Sequence, residues 1–294
     1  RSRLRLSALA IALSLASLPA LARTLTDDTG APVTVPDVPA RVVALAPDLT
    51  EIAFQLGAGD ALVGACGPCD SPAAAAALPK VGPMIEPSIE AILLLRPDLV
   101  LATAEGNPLA SVERLRSLGV PVFGVRPGPG IEGIARELRV LGDVLGRRER
   151  GEELASRVSA SVRAVRERNA GAPRLRACIL AWTDPLVAAG TDAYLTDLLD
   201  AAGADNACPT STGWPQISRE TLLVLRPRLV LLATGEEEAG LGAWAASLPA
   251  VRDGAVVRLP THPFLRPSAD LARAADEMDA LVRGARARLA AAPP

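Results

Sequence analysis

The 294-residue chain has one histidine, His262, and aromatic side chains make up only 2% of it. A single imidazole excludes zinc or iron sites built from several histidines and the HExxH arrangement. Lysine and arginine (31) are balanced by aspartate and glutamate (33), so there is no basic surplus to hold nucleic acid or an anionic membrane surface. No GxGxxG fingerprint, P-loop or GxSxG elbow occurs, which removes the commonest nucleotide-binding and hydrolase signatures. What remains is 49% hydrophobic and 22% charged, the composition of a folded chain with a sizeable core. With three Trp, one Tyr and three Phe, each aromatic residue outside an apolar stripe becomes informative.

Arg1, Arg3 and Arg5 precede an uncharged apolar run over 6–18, followed by Pro19, Ala20, Leu21 and Ala22. This order of charge, apolar run and small residues is that of a secretory signal peptide over 1–22, with cleavage after Ala22. The run is too short to span a bilayer. The first cysteine is Cys66, so no lipid anchor is expected at the cleavage site. The mature chain is expected to start at Arg23 and to be soluble in the periplasm.

Short β-branched runs near 41–46, 99–102, 120–125, 175–181, 229–233 and 255–259 alternate with helical stretches, the pattern of parallel α/β sheets. Glu90-Ala91-Ile92-Leu93-Leu94-Leu95-Arg96-Pro97-Asp98-Leu99-Val100-Leu101 reappears as Glu220-Thr221-Leu222-Leu223-Val224-Leu225-Arg226-Pro227-Arg228-Leu229-Val230-Leu231. Leu49-Thr50-Glu51 with Gly57-Ala58 is echoed by Leu195-Thr196-Asp197 with Gly203-Ala204. Two blocks repeated in the same order predict two similar lobes. Between them, Leu154, Val158, Val162 and Val165 form one stripe at helical spacing, predicting a helix over 147–169 of roughly 35 Å. The predicted division is 23–130 for the first α/β lobe, 131–170 for a linker carrying that helix, 171–267 for the second lobe and 268–294 for a terminal helix.

These phrases resemble the helical-backbone, class III substrate-binding proteins of ABC importers, the family that carries cobalamin, iron-siderophores and haem. Arg41-Val42-Val43-Ala44-Leu45-Ala46-Pro47 with Thr50-Glu51, Pro79-Lys80-Val81-Gly82, Arg96-Pro97-Asp98-Leu99-Val100 and Leu118-Gly119-Val120-Pro121-Val122 look like its first lobe. Trp214-Pro215-Gln216-Ile217-Ser218-Arg219-Glu220 looks like the vitamin B12-binding members. The resemblance implies an α/β fold of two Rossmann-like lobes joined by a long backbone helix. It also implies a monomeric receptor without a catalytic cofactor, carrying cobalamin or another metal chelate between its lobes. A permease and ATPase complex in the inner membrane would accept the ligand. Iron-siderophore and haem are the alternative cargoes. Haem-binding members use a tyrosine after the Val-Gly of the Pro-Lys-Val-Gly phrase, where Pro83 stands here.

By the same resemblance, Glu90 and Glu220 would dock the permease, one from each lobe. Trp214 sits in a polar, proline-flanked segment and would offer a platform to a planar ligand. Phe264 and Arg266 match a late cleft loop, and the positions that carry several aromatics in cobalamin-binding members hold Pro68, Met84, Thr103 and Val187 here. Trp182, ending a predicted strand, would reach the cleft. Tyr194 and Trp244 read as packing residues, and His262 as a loop residue that could also ligate a metal centre.

Four cysteines in an exported chain suggest disulfides, with Cys178 and Cys208 as one pair. Cys66-Gly67-Pro68-Cys69 carries the thioredoxin dipeptide between its cysteines. It therefore admits a local disulfide, capture of a metal by two thiolates, or a second function class, an exported thiol-disulfide oxidoreductase.

Overall fold

Most strands fall on short apolar runs rich in valine and leucine. The computed structural model describes residues 22–208, 211–234 and 240–291, so of the expected leader only Ala22 falls among them. The strands are β1 (Ala22–Thr26), β2 (Pro32–Pro36), β3 (Val42–Ala44), β4 (Leu62–Ala65), β5 (Leu99–Thr103), β6 (Val122–Val125), β7 (Leu175–Thr183), β8 (Leu186–Ala188), β9 (Ala204–Asn206), β10 (Leu229–Leu232) and β11 (Val256–Arg258). The helices are α1 (Pro47–Gln55), α2 (Ala73–Ala76), α3 (Ile89–Leu94), α4 (Leu109–Ser117), α5 (Gly130–Val144), α6 (Arg148–Arg168), α7 (Tyr194–Ala201), α8 (Arg219–Leu225), α9 (Pro249–Arg252), α10 (Thr261–Phe264) and α11 (Leu271–Ala291).

The first sheet runs β4-β3-β5-β6 with every pair parallel. The second runs β9-β7-β10-β11, again parallel, with β8 added antiparallel along the outer half of β7. The two lobes thus share one strand order, as the internal repeat predicts. Alternation sorts each strand between two faces. In the first sheet Val42, Ala44, Leu99, Leu101 and Phe123 join one large core with the helical strut, while Val43, Leu45, Val100, Ala102 and Val122 pack beneath α3 and α4 through Ile92 and Leu115. In the second sheet Cys178, Leu180, Val230 and Leu232 pack with Leu222 of α8. An antiparallel hairpin, β1-β2, which no stripe or repeat announces, precedes the first sheet.

The expected strut is α6, about 31 Å long at 1.5 Å per residue. Leu154, Val158, Val162 and Val165 are all buried. Its stripe packs against α5 and α11, and the main core runs through it from one lobe to the other. Close approach of α5 and α6 depends on two facing glycines: a Cβ on Gly142 would lie 2.8 Å from the Gly151 Cα, and one on Gly151 would lie 2.7 Å from the Leu138 carbonyl oxygen. Gly151→Val is therefore expected to destabilise the fold by about 1–3 kcal/mol through overpacking. Urea unfolding followed by circular dichroism measures it, and an unchanged midpoint would contradict this packing.

Candidate ligand cleft

In an open parallel sheet, ligands bind beyond the carboxyl ends of the strands where the strand order reverses. Here those points are β3/β5 in the first lobe and β7/β10 in the second. From the first come Pro47 and Asp48, opening α1, Thr103 at the end of β5, and Glu105 and Gly106 after it; Met84 comes from the loop before α3. From the second come Trp182 at the end of β7, Val187 in β8, Ala233 and Thr234 after β10, and Tyr194 opening α7. Trp214 is held by its neighbours: Pro215 accepts a hydrogen bond from the Ala188 amide at 2.9 Å, and Gln216 bridges to Val187.

These residues line two adjoining cavities of about 300 and 380 Å³ that share Tyr194, Trp214 and Leu265. A larger cavity of about 770 Å³ lies on the flank of the first lobe, walled by Asp28, Glu113, Arg116 and Arg126, and takes nothing from the second lobe. This adjoining pair is the candidate site because both switch points converge on it and it combines an aromatic, apolar second-lobe wall with a few polar groups from the first lobe. Trp214 and Tyr194 pack edge to face, with ring centroids 6.4 Å apart at 71°. Trp182 and Trp214 nonetheless remain 53% and 43% exposed, a large apolar area left open to a ligand.

Of the residues picked out by sequence, Met84, Thr103, Val187, Trp214 and Arg266 line these cavities, and so does Trp182. Phe264 does not: it is fully buried in the main core, and its neighbour Leu265 faces the cleft instead. The aromatic ring is taken up by the core, and the residues after it, Leu265, Arg266 and Pro267, line the cleft. Pro68 is exposed in the loop closed by Cys66 and Cys69 and lines neither cavity. Arg266 stands at the rim with its guanidinium committed, donating to Glu51 Oε1 at 2.9 Å and pairing with Asp70 at 2.7 Å. An arginine bound to two carboxylates of the other lobe acts first as a clasp between lobes. Tyr194, expected only to pack, both packs and lines the cleft, donating its hydroxyl to the Phe264 carbonyl at 2.8 Å. Burial and the nearby Asp48 charge push its phenol well above the ordinary range. Trp244 packs on the second lobe's outer cluster, with the Arg219 guanidinium 5.5 Å above its ring.

Asp48, Glu105 and Leu265 are cleft residues that sequence reading passed over. Asp48 was open to discovery, since Pro47-Asp48 directly follows a predicted strand. Burial, then the charges of Glu51 and Glu105, raise its carboxyl from 3.8 to about 6, against the opposing pull of the Leu49 amide. Glu137 of α5 is buried with neither carboxyl oxygen partnered. Burial, reinforced by the charges of Asp48 and Glu105, holds it protonated well above the usual carboxyl range.

Cys66 pairs with Cys69 and Cys178 with Cys208, with Cα separations of 5.2 and 5.4 Å, within disulfide reach. The second bond ties β7 to the segment just after β9. His262 offers Nε2 at 3.4 Å from Glu51 Oε1, and Glu51, His262 and Asp270 bring ligand atoms within 4.8 Å of one another. The Arg266 guanidinium already neutralises Glu51 there, which opposes a dication.

Two lobes of one strand order, a helical backbone between them and a cleft at facing switch points define a class III binding-protein fold. Residues 42–263 match the family described as periplasmic binding protein, and the chain belongs to that family. It is 31% identical over 194 residues to a vitamin B12-binding protein of Yersinia pestis, covering 66% of this chain and 69% of that one. The periplasmic vitamin B12-binding protein BtuF of Vibrio cholerae superposes with a TM-score of 0.72 at 27% identity, covering 84% of this chain and 98% of that one. The periplasmic haem-binding protein RhuT of Roseiflexus sp. RS-1 superposes with a TM-score of 0.74 at 26% identity, covering 83% and 98%.

Because the folded Asp48 ionises at about 6 rather than 3.8, its charge costs stability that grows as pH rises between those values and persists above them. Asp48→Asn is expected to be more stable than the parent above pH 7, by on the order of 2 kcal/mol, with the difference vanishing near pH 4. Thermal unfolding across that range checks the sign; a gain confined to low pH would contradict it.

Proposed function

We propose that the protein is the periplasmic receptor of an ABC importer and that its cargo is cobalamin or a closely related corrinoid. The observation that carries this reading is the second-lobe cavity walled by Trp182, Trp214 and Tyr194, which adjoins the interlobe cavity through Tyr194 and Trp214 and leaves two of its rings exposed as faces for a flat ligand. Kinship with a vitamin B12-binding protein supports the same cargo. Apolar and aromatic contact supplies affinity, and polar groups of the first-lobe wall, Thr103, Glu105 and Asp48, meet the amides at the corrin rim. Haem is the second cargo, supported by the haem-binding neighbour. Two features weigh against haem iron held by tyrosine: Pro83 follows Gly82, and the single tyrosine has its phenol pushed up and its hydroxyl engaged.

The family consists of substrate-binding transport proteins. In this reading no chemistry occurs on the chain; it carries the ligand to the membrane permease, where Glu90 and Glu220 dock. Both are exposed, each on the first turn of a helix capped by a serine: Ser88 Oγ accepts from the Ala91 amide at 3.2 Å and Ser218 Oγ from the Thr221 amide at 3.1 Å. Two carboxylates on two rigid lobes set the orientation of docking and its on-rate. The oxidoreductase alternative is disfavoured by burial: both sulfurs of Cys66 and Cys69 are shielded, whereas a catalytic thiol must be reached by its substrate.

Titration of the mature protein with cyanocobalamin, haemin and a ferric siderophore, followed by tryptophan quenching and calorimetry, tests the cargo. One-to-one binding of cyanocobalamin is expected, weakened on the order of 10-fold or more by Trp214→Ala. Saturation by haemin alone would overturn the corrinoid assignment. In a second experiment, Glu90→Arg with Glu220→Arg is expected to abolish uptake while leaving ligand affinity unchanged. Loss of both together would contradict separate docking and binding surfaces.

A further inference from the structure

The two most exposed large apolar side chains among the described residues are Leu94, at 81%, and Val224, at 79%. They occupy the same position of the internal repeat, one in each lobe, at the last turns of α3 and α8. Each lies four residues after Glu90 or Glu220, hence on the same helix face, one turn along. Their surroundings are duplicated as well. Both helices bury the residue two after the glutamate, Ile92 or Leu222, against the outer face of the sheet. Both are followed by an arginine in the left-handed region, Arg96 with φ 46° and Arg226 with φ 48°, ahead of a proline. The same backbone frame therefore presents the same pair, a carboxylate and an aliphatic knob, from both lobes.

Scattered exposed leucines are ordinary on protein surfaces. The two extreme cases falling on equivalent positions, each beside an exposed carboxylate without an ion pair among the described residues, are not a scatter. The next most exposed large apolar side chain among the described residues is Ile85, at 70%, also in the first lobe.

We propose that Leu94 and Val224 are the apolar anchors of the permease-docking face, each seated in an apolar socket of the permease that carries a basic residue at its rim for Glu90 or Glu220. This rests on the receptor reading above and adds a division of labour to it. The carboxylates steer encounter through a field that salt screens, and the anchors, desolvated only on contact, set residence time. The charge next to each knob selects this occupant: an anionic lipid surface would be repelled by Glu90 and Glu220, and so would the same face of a second copy.

The test uses the permease–ATPase complex of the same organism's vitamin B12 importer, reconstituted in phospholipid nanodiscs, with the cyanocobalamin-loaded protein flowed over it. Leu94→Ser and Val224→Ser are each expected to raise the off-rate about 10-fold, and together about 100-fold, with little dependence on salt. Glu90→Arg with Glu220→Arg instead slows association and flattens its salt dependence. Leu94→Met with Val224→Ile, which keep apolar volume, retain binding. All variants should match the parent in melting temperature and cyanocobalamin affinity. If the parent binds the complex, the arginine pair loses it and the serine pair leaves the off-rate unchanged, the anchors are refuted while the receptor reading stands. If the parent does not bind at all, the reading as a corrinoid receptor of this importer fails and the anchors with it. If light scattering finds a dimer that the serine pair dissolves, a second copy covers this face and the proposal is overturned.

Discussion

The close packing of α5 on α6 governs the rest of the molecule. Gly142 and Gly151 let the two helices meet backbone to backbone, and the α6 stripe of Leu154, Val158, Val162 and Val165 carries one continuous core from lobe to lobe. A helix of this kind cannot bend like a pair of extended strands, because each residue is held by its i to i+4 hydrogen bond. The distance between the lobes is therefore set by a rigid rod, and the switch points of the two sheets are held facing one another. The Arg266 clasp to Glu51 and Asp70 closes the same gap from the far side of the chain.

Within that frame the cleft combines two environments. The second-lobe wall is aromatic, with Trp182, Trp214 and Tyr194, whereas the first-lobe wall brings Asp48, Glu105 and Thr103. The acid-rich side is electrostatically crowded: Asp48 ionises only at about 6, and Glu137 behind it stays protonated. At neutral pH Asp48 is mostly ionised and accepts hydrogen bonds, and a negative wall of this kind suits a neutral ligand rich in amide donors better than an anion. With two such different walls, a flat ligand has one favoured orientation.

The repeat makes the outer surface as ordered as the cleft. Ser88 and Ser218 cap, Ile92 and Leu222 anchor, and Arg96 and Arg226 terminate matching helices, so Glu90 with Leu94 and Glu220 with Val224 emerge alike from two lobes. Duplicated interior packing thus produces duplicated exterior chemistry.

Periodicity and repetition were readable from the chain alone. Short apolar, β-branched runs located β3, β5, β6, β7, β10 and β11, the stripe located α6 within one residue at each end, and the Arg-Pro echo revealed two lobes. These features are local, set by side-chain spacing along a helix or strand. Strand β9, reading Ala-Asp-Asn, stands in no apolar run of its own, and β8 and β9 exist through pairing with β7. The cleft was half legible for the same reason. Trp214 stood out in a polar segment, but whether Phe264 or Leu265 turned outward, whether Arg266 met a ligand or Glu51, and whether Tyr194 packed or faced the cavity depended on contacts made across hundreds of residues of chain. Burial and ion pairing between distant segments are properties of the folded arrangement, and no pattern along the chain encodes them.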